Sequence, residues 1–106
     1  MAKYLIIASY TAEGMKGVVT KGGTDRRDAV SKAVADLGGQ VDSFYFAFGE
    51  EDAYVVVDLP DNASAAAIGM AVGASGMVRT KTVVLLTPEE IDRAAQKQVS
   101  YRAPGS

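Results

Sequence analysis

The chain has 106 residues, 48% of them hydrophobic, and a formal net charge of −2. This length fits one domain with one core, and the slightly acidic balance argues against a nucleic-acid partner, because nucleic-acid-binding domains usually carry a basic face. Cysteine and histidine are absent, which excludes disulfides, thiolate or imidazole metal ligands, and Ser-His or Cys-His nucleophiles. Any metal would have to be held by oxygen ligands alone, and we expect neither a cofactor nor a metal site.

The N-terminal segment has one lysine before a short apolar run, which is not the pattern of a signal peptide. The longest apolar stretch, residues 63–78, falls short of the roughly 20 residues that a membrane helix needs. We therefore expect a cytoplasmic protein with no membrane partner.

The first element predicted is a buried strand over residues 3–10, which are β-branched and aromatic without a break. Thr11 could cap a short helical turn after this strand. However, Gly14 and Gly17 predict that the segment stays irregular as far as residues 22–23, where a glycine pair ends it.

A helix is predicted from Thr24 to the glycine pair at 38–39, since apolar residues recur at helical spacing and glycine commonly ends a helix. Two strands follow, over residues 41–48 and 52–59, joined by a short hairpin loop. In the second of them the alternate residues Ala53, Val55, Val57 and Leu59 suit a face covered by helices, whereas Tyr54, Val56 and Asp58 suit an open face.

The last part of the chain predicts a helix over residues 63–73, a strand over 78–86 and a final helix over 88–97. Thr87, Pro88 and Glu90 form a capping box with proline at the first helical position. We expect one domain over residues 1–98, followed by a C-terminal tail over 99–106.

The predicted order is β-α-β-β-α-β with an appended helix, which is the split βαβ arrangement of an α+β, ferredoxin-like fold with a four-stranded antiparallel sheet. Right-handed crossovers place both main helices on one face of the sheet. The other face has no cover in the chain itself and is too apolar for water, which is typical of an association surface. We therefore expect a homodimer, or a higher homo-oligomer, in which two sheets pack face to face into a shared α/β barrel.

Six residues are candidates for binding a small molecule. Arg79 and Lys81 alternate on one face of the last strand, near Tyr10 at the end of the first, and could form an anion or carboxylate pocket. The sequence favours the other interpretation, in which these charges protect an edge strand. Tyr45 and Tyr54 could stack on a ligand or lie in a dimer interface, and the sixth candidate is Asp58.

The hairpin loop contains three consecutive carboxylates, Glu50, Glu51 and Asp52, after Gly49. They could bind a cation or act as general acid and base. Adjacent strand residues point to opposite faces, however, so the sequence favours a solvated turn. In that turn Gly49 supplies a positive φ and Asp52 accepts backbone N–H groups.

Five motifs occur in an order that resembles the GYD-domain family: TAEG, FGEED, LPDNASAA, GMVRTKT and LLTPEE, which begin at residues 11, 48, 59, 76 and 85. The resemblance covers most of the chain and implies a ferredoxin-like, dimeric α/β barrel, but no particular reaction. In the Gly-Tyr-Asp pattern that names the family, Gly49 and Asp52 match the glycine and the aspartate. Glu51 stands where the tyrosine is expected, which favours a structural role for the loop.

Two functions remain open. The first is a homo-oligomeric module for small-molecule binding or assembly, without catalysis, which the lack of histidine and cysteine favours. The second is a cofactor-free isomerase or cyclase that uses a cleft between the helices and the open sheet face. Tyr10, Tyr54, Asp58 and Arg79 are its candidate residues, although the fold alone does not imply such a reaction.

Overall fold

The structure, a computed structural model, covers residues 1–106 and contains four strands and four helices. In chain order they are β1 (Ala2–Tyr10), α1 (Ala12–Lys21), α2 (Gly23–Asp36), β2 (Gln40–Phe46), β3 (Ala53–Leu59), α3 (Asn62–Ala74), β4 (Val78–Leu85) and α4 (Pro88–Ala95). Apart from α1, these elements lie within about two residues of their predicted bounds, the usual uncertainty at element ends.

The strands form one antiparallel sheet in the order β2-β3-β1-β4. The crossover from β1 to β2 passes over β3, and the crossover from β3 to β4 passes over β1, which is the ferredoxin-like arrangement. Helix α2 packs against β2 and helix α3 against β4. The predicted fold class is therefore confirmed.

The core lies between one face of this sheet and helices α2 and α3. Val34 of α2 and Ile68 of α3 pack into it, together with Tyr4 and Ile6 of β1. The strand residues predicted to face the helices are at most 3% exposed: Ala53, Val55, Val57 and Leu59. Burying one such side chain contributes roughly 1.5–3 kcal/mol, so the alternation in β3 fixes which face of the sheet is covered.

The segment after β1 corrects a prediction, because residues 12–21 form a regular helix, α1, instead of an irregular loop. The side chain of Thr11 caps it by accepting the N–H of Gly14 at 3.2 Å, while its own N–H donates to the carbonyl oxygen of Met77 at 2.9 Å. A Cβ at Gly14 would collide with that same carbonyl oxygen. Close packing on the β4 side therefore outweighs the low helix propensity of glycine.

Strand β2 ends at Phe46 and not at Phe48 as predicted. Its register against β3 shifts between Val41 and Ser43, which is a β-bulge. Phe44 and Phe46 keep to the helix side, with ring centroids 5.2 Å apart, whereas Phe48 is fully exposed beyond the strand. Phe48 therefore does not share the covered face with the other two rings.

Helix α4 projects from the domain. The predicted capping box is present, with Thr87 accepting the N–H of Glu90 and Glu90 accepting the N–H of Thr87. The radius of gyration is 16.8 Å, whereas about 13 Å is expected for a compact chain of this length. Ile91 on α4 is 51% exposed. Of all the helices, none has both the length and the apolar character to cross a bilayer.

Candidate functional site

The sheet face away from the helices, which we call the open face, holds five of the six candidate ligand-binding residues. Because the odd-numbered residues of β3 are buried, its even-numbered residues lie on the open face. The cross-strand register then brings neighbours from the other strands beside them. The open face includes Leu5, Ile7 and Ser9 of β1, Tyr45 of β2, Tyr54, Val56 and Asp58 of β3, and Arg79, Lys81 and Val83 of β4.

Glu51 folds back from the hairpin loop onto this face, which corrects the expectation of a solvated tip. One carboxylate oxygen accepts the hydroxyl of Ser9 at 2.5 Å, and the other lies 2.7 Å from the Nζ of Lys81. The side chain of Glu51 is only 15% exposed. Glu50 is exposed, and no three acidic side chains are grouped so that they could hold a metal ion.

The pairing keeps both partners charged. The ammonium of Lys81, helped by the hydroxyl of Ser9, holds the pKa of Glu51 below its ordinary value, although partial burial opposes this. In return the Glu51 carboxylate raises the pKa of Lys81. A general acid or base for neutral pH needs a pKa near 7, and these directions lead away from it for both groups.

Arg79 is next to this ion pair and remains free to bind an anion. It pairs with Ser9 across the strands and makes no ion pair of its own. Together with the ion pair it lines a polar pocket of about 360 Å³, formed by Ile7, Ser9, Glu50, Glu51, Arg79, Thr80 and Lys81. Arg79 and Lys81 therefore lie on the same face of β4, as their spacing predicts.

Asp58 lies at the opposite end of the open face and is held in a separate network. Its carboxylate is 3.0 Å from the Nζ of Lys3, which also pairs with Asp42, and it accepts a hydrogen bond from Gln40 at 3.4 Å. Lys3 is the main reason that the pKa of Asp58 is lowered, and both aspartates raise the pKa of Lys3. Asp58 thus links the ends of β1 and β2 to β3 and is not close to Arg79.

Tyr45 and Tyr54 are direct cross-strand neighbours on the open face. Their exposed fractions are 70% and 39%, so large parts of both rings have no contact within the chain. Aromatic side chains of this kind are enriched in protein interfaces. They extend the apolar centre of the open face, formed by Leu5, Val56 and Val83, toward β2.

Tyr10, the sixth candidate, faces the other way and does not join Arg79 and Lys81. It pairs with Val78 and stacks on Phe46, with ring centroids 6.5 Å apart. The guanidinium carbon of Arg26 lies 5.9 Å from the centre of the Tyr10 ring. The anion pocket expected from all three residues therefore does not form, because Tyr10 is one residue out of phase with Ser9, the neighbour of Arg79.

Gly49 and Asp52 occupy the positions expected of them in the turn. Gly49 has a φ of +123°, a conformation that side-chain-bearing residues rarely adopt. Asp52 accepts a backbone N–H, as predicted, but the donor is Tyr10 of β1, at 2.8 Å. The loop is thereby fastened to the neighbouring strand as well as closed on itself.

Sequence reasoning missed Ser9 and the cleft around Arg26. Leu5, Ile7 and Ser9 are alternate residues of β1 and share one face of the strand. Ser9 is the polar one among them, and this was the sign in the sequence that it could have a role. Nothing in the sequence indicates that Arg26 of α2 reaches the Tyr10 ring, because that contact depends on how α2 is oriented on the sheet.

A family model described as the GYD domain matches residues 4–95 of the chain. No curated protein and no solved structure shows detectable similarity to it. The match covers all four strands and all four helices except for the first two residues of β1, and it includes the hairpin with Gly49 and Asp52. The chain therefore belongs to the GYD domain family.

Proposed function

We propose that this protein is a homodimeric module that binds a small molecule without transforming it, and that it assembles through the open face. The observation that carries the proposal is the unpartnered apolar centre of that face. Leu5 lies between Val56 and Val83 in the cross-strand register, and Val83 is 43% exposed. A second copy of the chain, with the same face, is the occupant that this self-complementary surface fits.

The size of the open face is compatible with a second copy of the chain as the partner. Four strands about 4.8 Å apart, each with about seven residues of 3.3 Å, give a face of about 19 by 23 Å. Two such faces in contact bury on the order of 1,000 Å² of accessible surface, which is close to the lower limit for a specific dimer. The projecting α4, with Ile91 exposed, offers further apolar area to the second copy.

The charges around the apolar centre are compatible with burial. Glu51 is paired with Lys81 at one end, and Asp58 with Lys3 at the other. Pairing within the chain matters, because an unpaired charge in an interface is strongly destabilising. Arg79 is the exception, and it lies at the end of the face, where contact with water or with an anion can be kept.

The ionisation of Glu51 and Lys81 favours binding over the alternative of a cofactor-free isomerase or cyclase. Such an enzyme needs a group that gains and loses a proton near neutral pH. The opposed pKa shifts of Glu51 and Lys81 hold one deprotonated and the other protonated. This ion pair is thus suited to positioning charge and not to proton transfer.

The dimer is tested by replacing neighbouring residues of β4 that lie on opposite faces. Val83→Lys puts a charge into the apolar centre, whereas Thr82→Lys puts the same charge on the helix side of the same strand, where Thr82 is also exposed. We expect sedimentation velocity at about 10–100 μM, where a micromolar dimer is populated, to show a dimer for the wild type and Thr82→Lys, and a monomer for Val83→Lys. A wild type that is monomeric, or a Val83→Lys protein that stays dimeric with native circular dichroism, would contradict the proposed interface.

A further inference from the structure

A second surface, on the helix side of the sheet, has the features of a ligand site. It is a cleft of about 490 Å³ between α1, the start of α2 and the ends of β1 and β4. Pockets for small ligands commonly have volumes of about 300–1,000 Å³. The cleft is separate from the open face, and among its lining residues are Tyr10, Gly17, Lys21, Arg26 and Met77.

Arg26 is the side chain that gives this cleft its chemistry. Its guanidinium lies against the Tyr10 ring, 5.9 Å from the ring centre, and that ring is itself stacked on Phe46. The Nε of Arg26 is shielded from solvent and has no hydrogen-bond partner, and the side chain makes no ion pair. A half-buried cation fixed on an aromatic ring, without a carboxylate of its own, is ready to accept an anion.

The wall formed by α1 leaves room for the rest of a ligand. Gly17 is in the interior of α1, where glycine costs about 1 kcal/mol relative to alanine. A Cβ at this position would meet nothing within 4 Å, so close packing does not explain the glycine. The side chains of Met77 and Val18 add apolar surface next to this gap. The cleft therefore combines one anchored cation with an apolar space.

The charge of the lining points to a singly charged ligand. Three cationic and two acidic side chains line the cleft, which leaves one net positive charge: Lys16, Lys21 and Arg26 against Glu13 and Asp25. Glu13 and Lys16 are 3.7 Å apart and largely neutralise each other. A polyphosphate would meet the remaining carboxylate, whereas a monocarboxylate requires a single cation and matches the planar guanidinium.

We propose that this cleft binds a small organic monocarboxylate, with the carboxylate at Arg26 and an apolar or aromatic body along Tyr10 and Gly17. The inference rests on the binding part of the proposed function and is independent of the dimer. It assigns the ligand to the helix side of the sheet and leaves the open face to the second copy.

The test is an NMR titration of the full-length protein with benzoate as the probe and benzyl alcohol as its uncharged counterpart. Benzoate is taken to about 20 mM, because a fragment of this size is expected to bind with a Kd on the order of 1 mM. We expect saturable amide shifts at Gly22, Gly23 and Asp25, and nuclear Overhauser contacts between benzoate and the Tyr10 ring. Benzyl alcohol should cause none of them.

Two variants and a matched control locate the site. Arg26→Gln retains a polar side chain, although a shorter one, and removes its charge, so the Kd for benzoate should rise about tenfold or more. Gly17→Leu fills the gap beside α1 and should abolish the saturable shifts. Arg27→Gln is the control, because Arg27 is exposed and pairs only with the adjacent Asp28 at 3.4 Å, and it should leave the Kd unchanged.

The outcomes separate this inference from the proposed dimer. Saturable shifts at the open face instead of the cleft, no saturable shifts at all, or an equal loss in Arg26→Gln and Arg27→Gln would each overturn the inference. None of these results alters the sedimentation experiment with Val83→Lys, so the ligand site in the cleft and the dimer interface on the open face can each fail while the other stands.

Discussion

Removing the carboxylate of Asp52 should destabilise the protein more than removing the carboxylate of Glu50, two residues earlier in the same loop. Pairing of β3 with β1 runs as far as Ala53 and Ala8, and the N–H of Asp52 donates to the carbonyl oxygen of Ala8 at 2.9 Å. Two residues along β1, the N–H of Tyr10 has no backbone acceptor on β3 and donates to Oδ2 of Asp52 at 2.8 Å. The side chain therefore extends the ladder by one hydrogen bond after the strand has ended.

The expected loss follows from this single bond. Asp52→Ala leaves the part-buried N–H of Tyr10 without its charged acceptor, and such a loss costs about 1–3 kcal/mol. For a domain of this size 1 kcal/mol corresponds to about 4–8 °C in Tm, so we expect Tm to fall by about 5–20 °C. Glu50 makes no hydrogen bond or ion pair, so Glu50→Ala should stay within about 0.5 kcal/mol of the wild type.

Thermal unfolding followed by circular dichroism measures Tm for both variants, and urea unfolding measures the difference in free energy of unfolding; Asp52→Asn is the conservative substitution. Asparagine retains a side-chain oxygen that can accept the N–H of Tyr10, so its loss should be smaller than that of Asp52→Ala. If Asp52→Ala and Glu50→Ala were equally stable, the carboxylate would contribute nothing as an extension of the ladder. If Asp52→Asn were as unstable as Asp52→Ala, charge and not hydrogen bonding would be its contribution.

Three further predictions concern other parts of the fold. The pKa of Glu51 is lowered in the folded state from an ordinary value of 4.5, so the stability that its carboxylate contributes is present above that pH and is lost as the pH falls through the folded-state pKa. Urea unfolding at about pH 6 and about pH 3 should therefore show a loss of stability in acid that is smaller in Glu51→Gln than in the wild type. An equal loss in the two proteins would contradict this prediction. Gly14→Ala should destabilise by about 1–3 kcal/mol through collision with the carbonyl of Met77, whereas Gly17→Ala, which meets open space, should stabilise by up to about 1 kcal/mol in the same thermal unfolding assay. Thr87→Ala removes the cap of α4 and should lower the stability of this helix by about 1 kcal/mol, so amide exchange within residues 90–95 should become faster. Exchange in the sheet should stay unchanged, because α4 makes no extensive contact with it.

Those features that depend on neighbouring residues in the chain were predictable from the sequence. The alternation from Ala53 to Leu59 gives both the strand and its buried face, and the spacing of Thr87 and Glu90 gives the start of α4. The order of the elements then leaves the ferredoxin-like arrangement as the sheet topology. Gly49 also follows from local chemistry, because its φ of +123° favours glycine.

Features that depend on distant contacts were not predictable. Helix α1 forms because Thr11 and Gly14 pack against Met77, more than 60 residues away. Likewise, the ion pair of Glu51 requires Lys81 of β4 to face the hairpin. A shift of one residue in strand register moves a side chain to the opposite face, which is why Tyr10 was grouped with the wrong face of the sheet.

The contacts of Glu51 determine where the hairpin loop lies relative to the sheet. At the place where the family pattern has a tyrosine, this chain has a carboxylate that is anchored by Ser9 and Lys81. A buried or half-buried ion pair is weak evidence for stability, because the desolvation of two charges offsets much of their attraction. Its effect is instead on geometry: the pair holds the hairpin flat against the edge of the open face and neutralises Lys81 there. In the dimer proposed above, a second copy that approaches the apolar centre of the open face would therefore meet Lys81 already paired with Glu51.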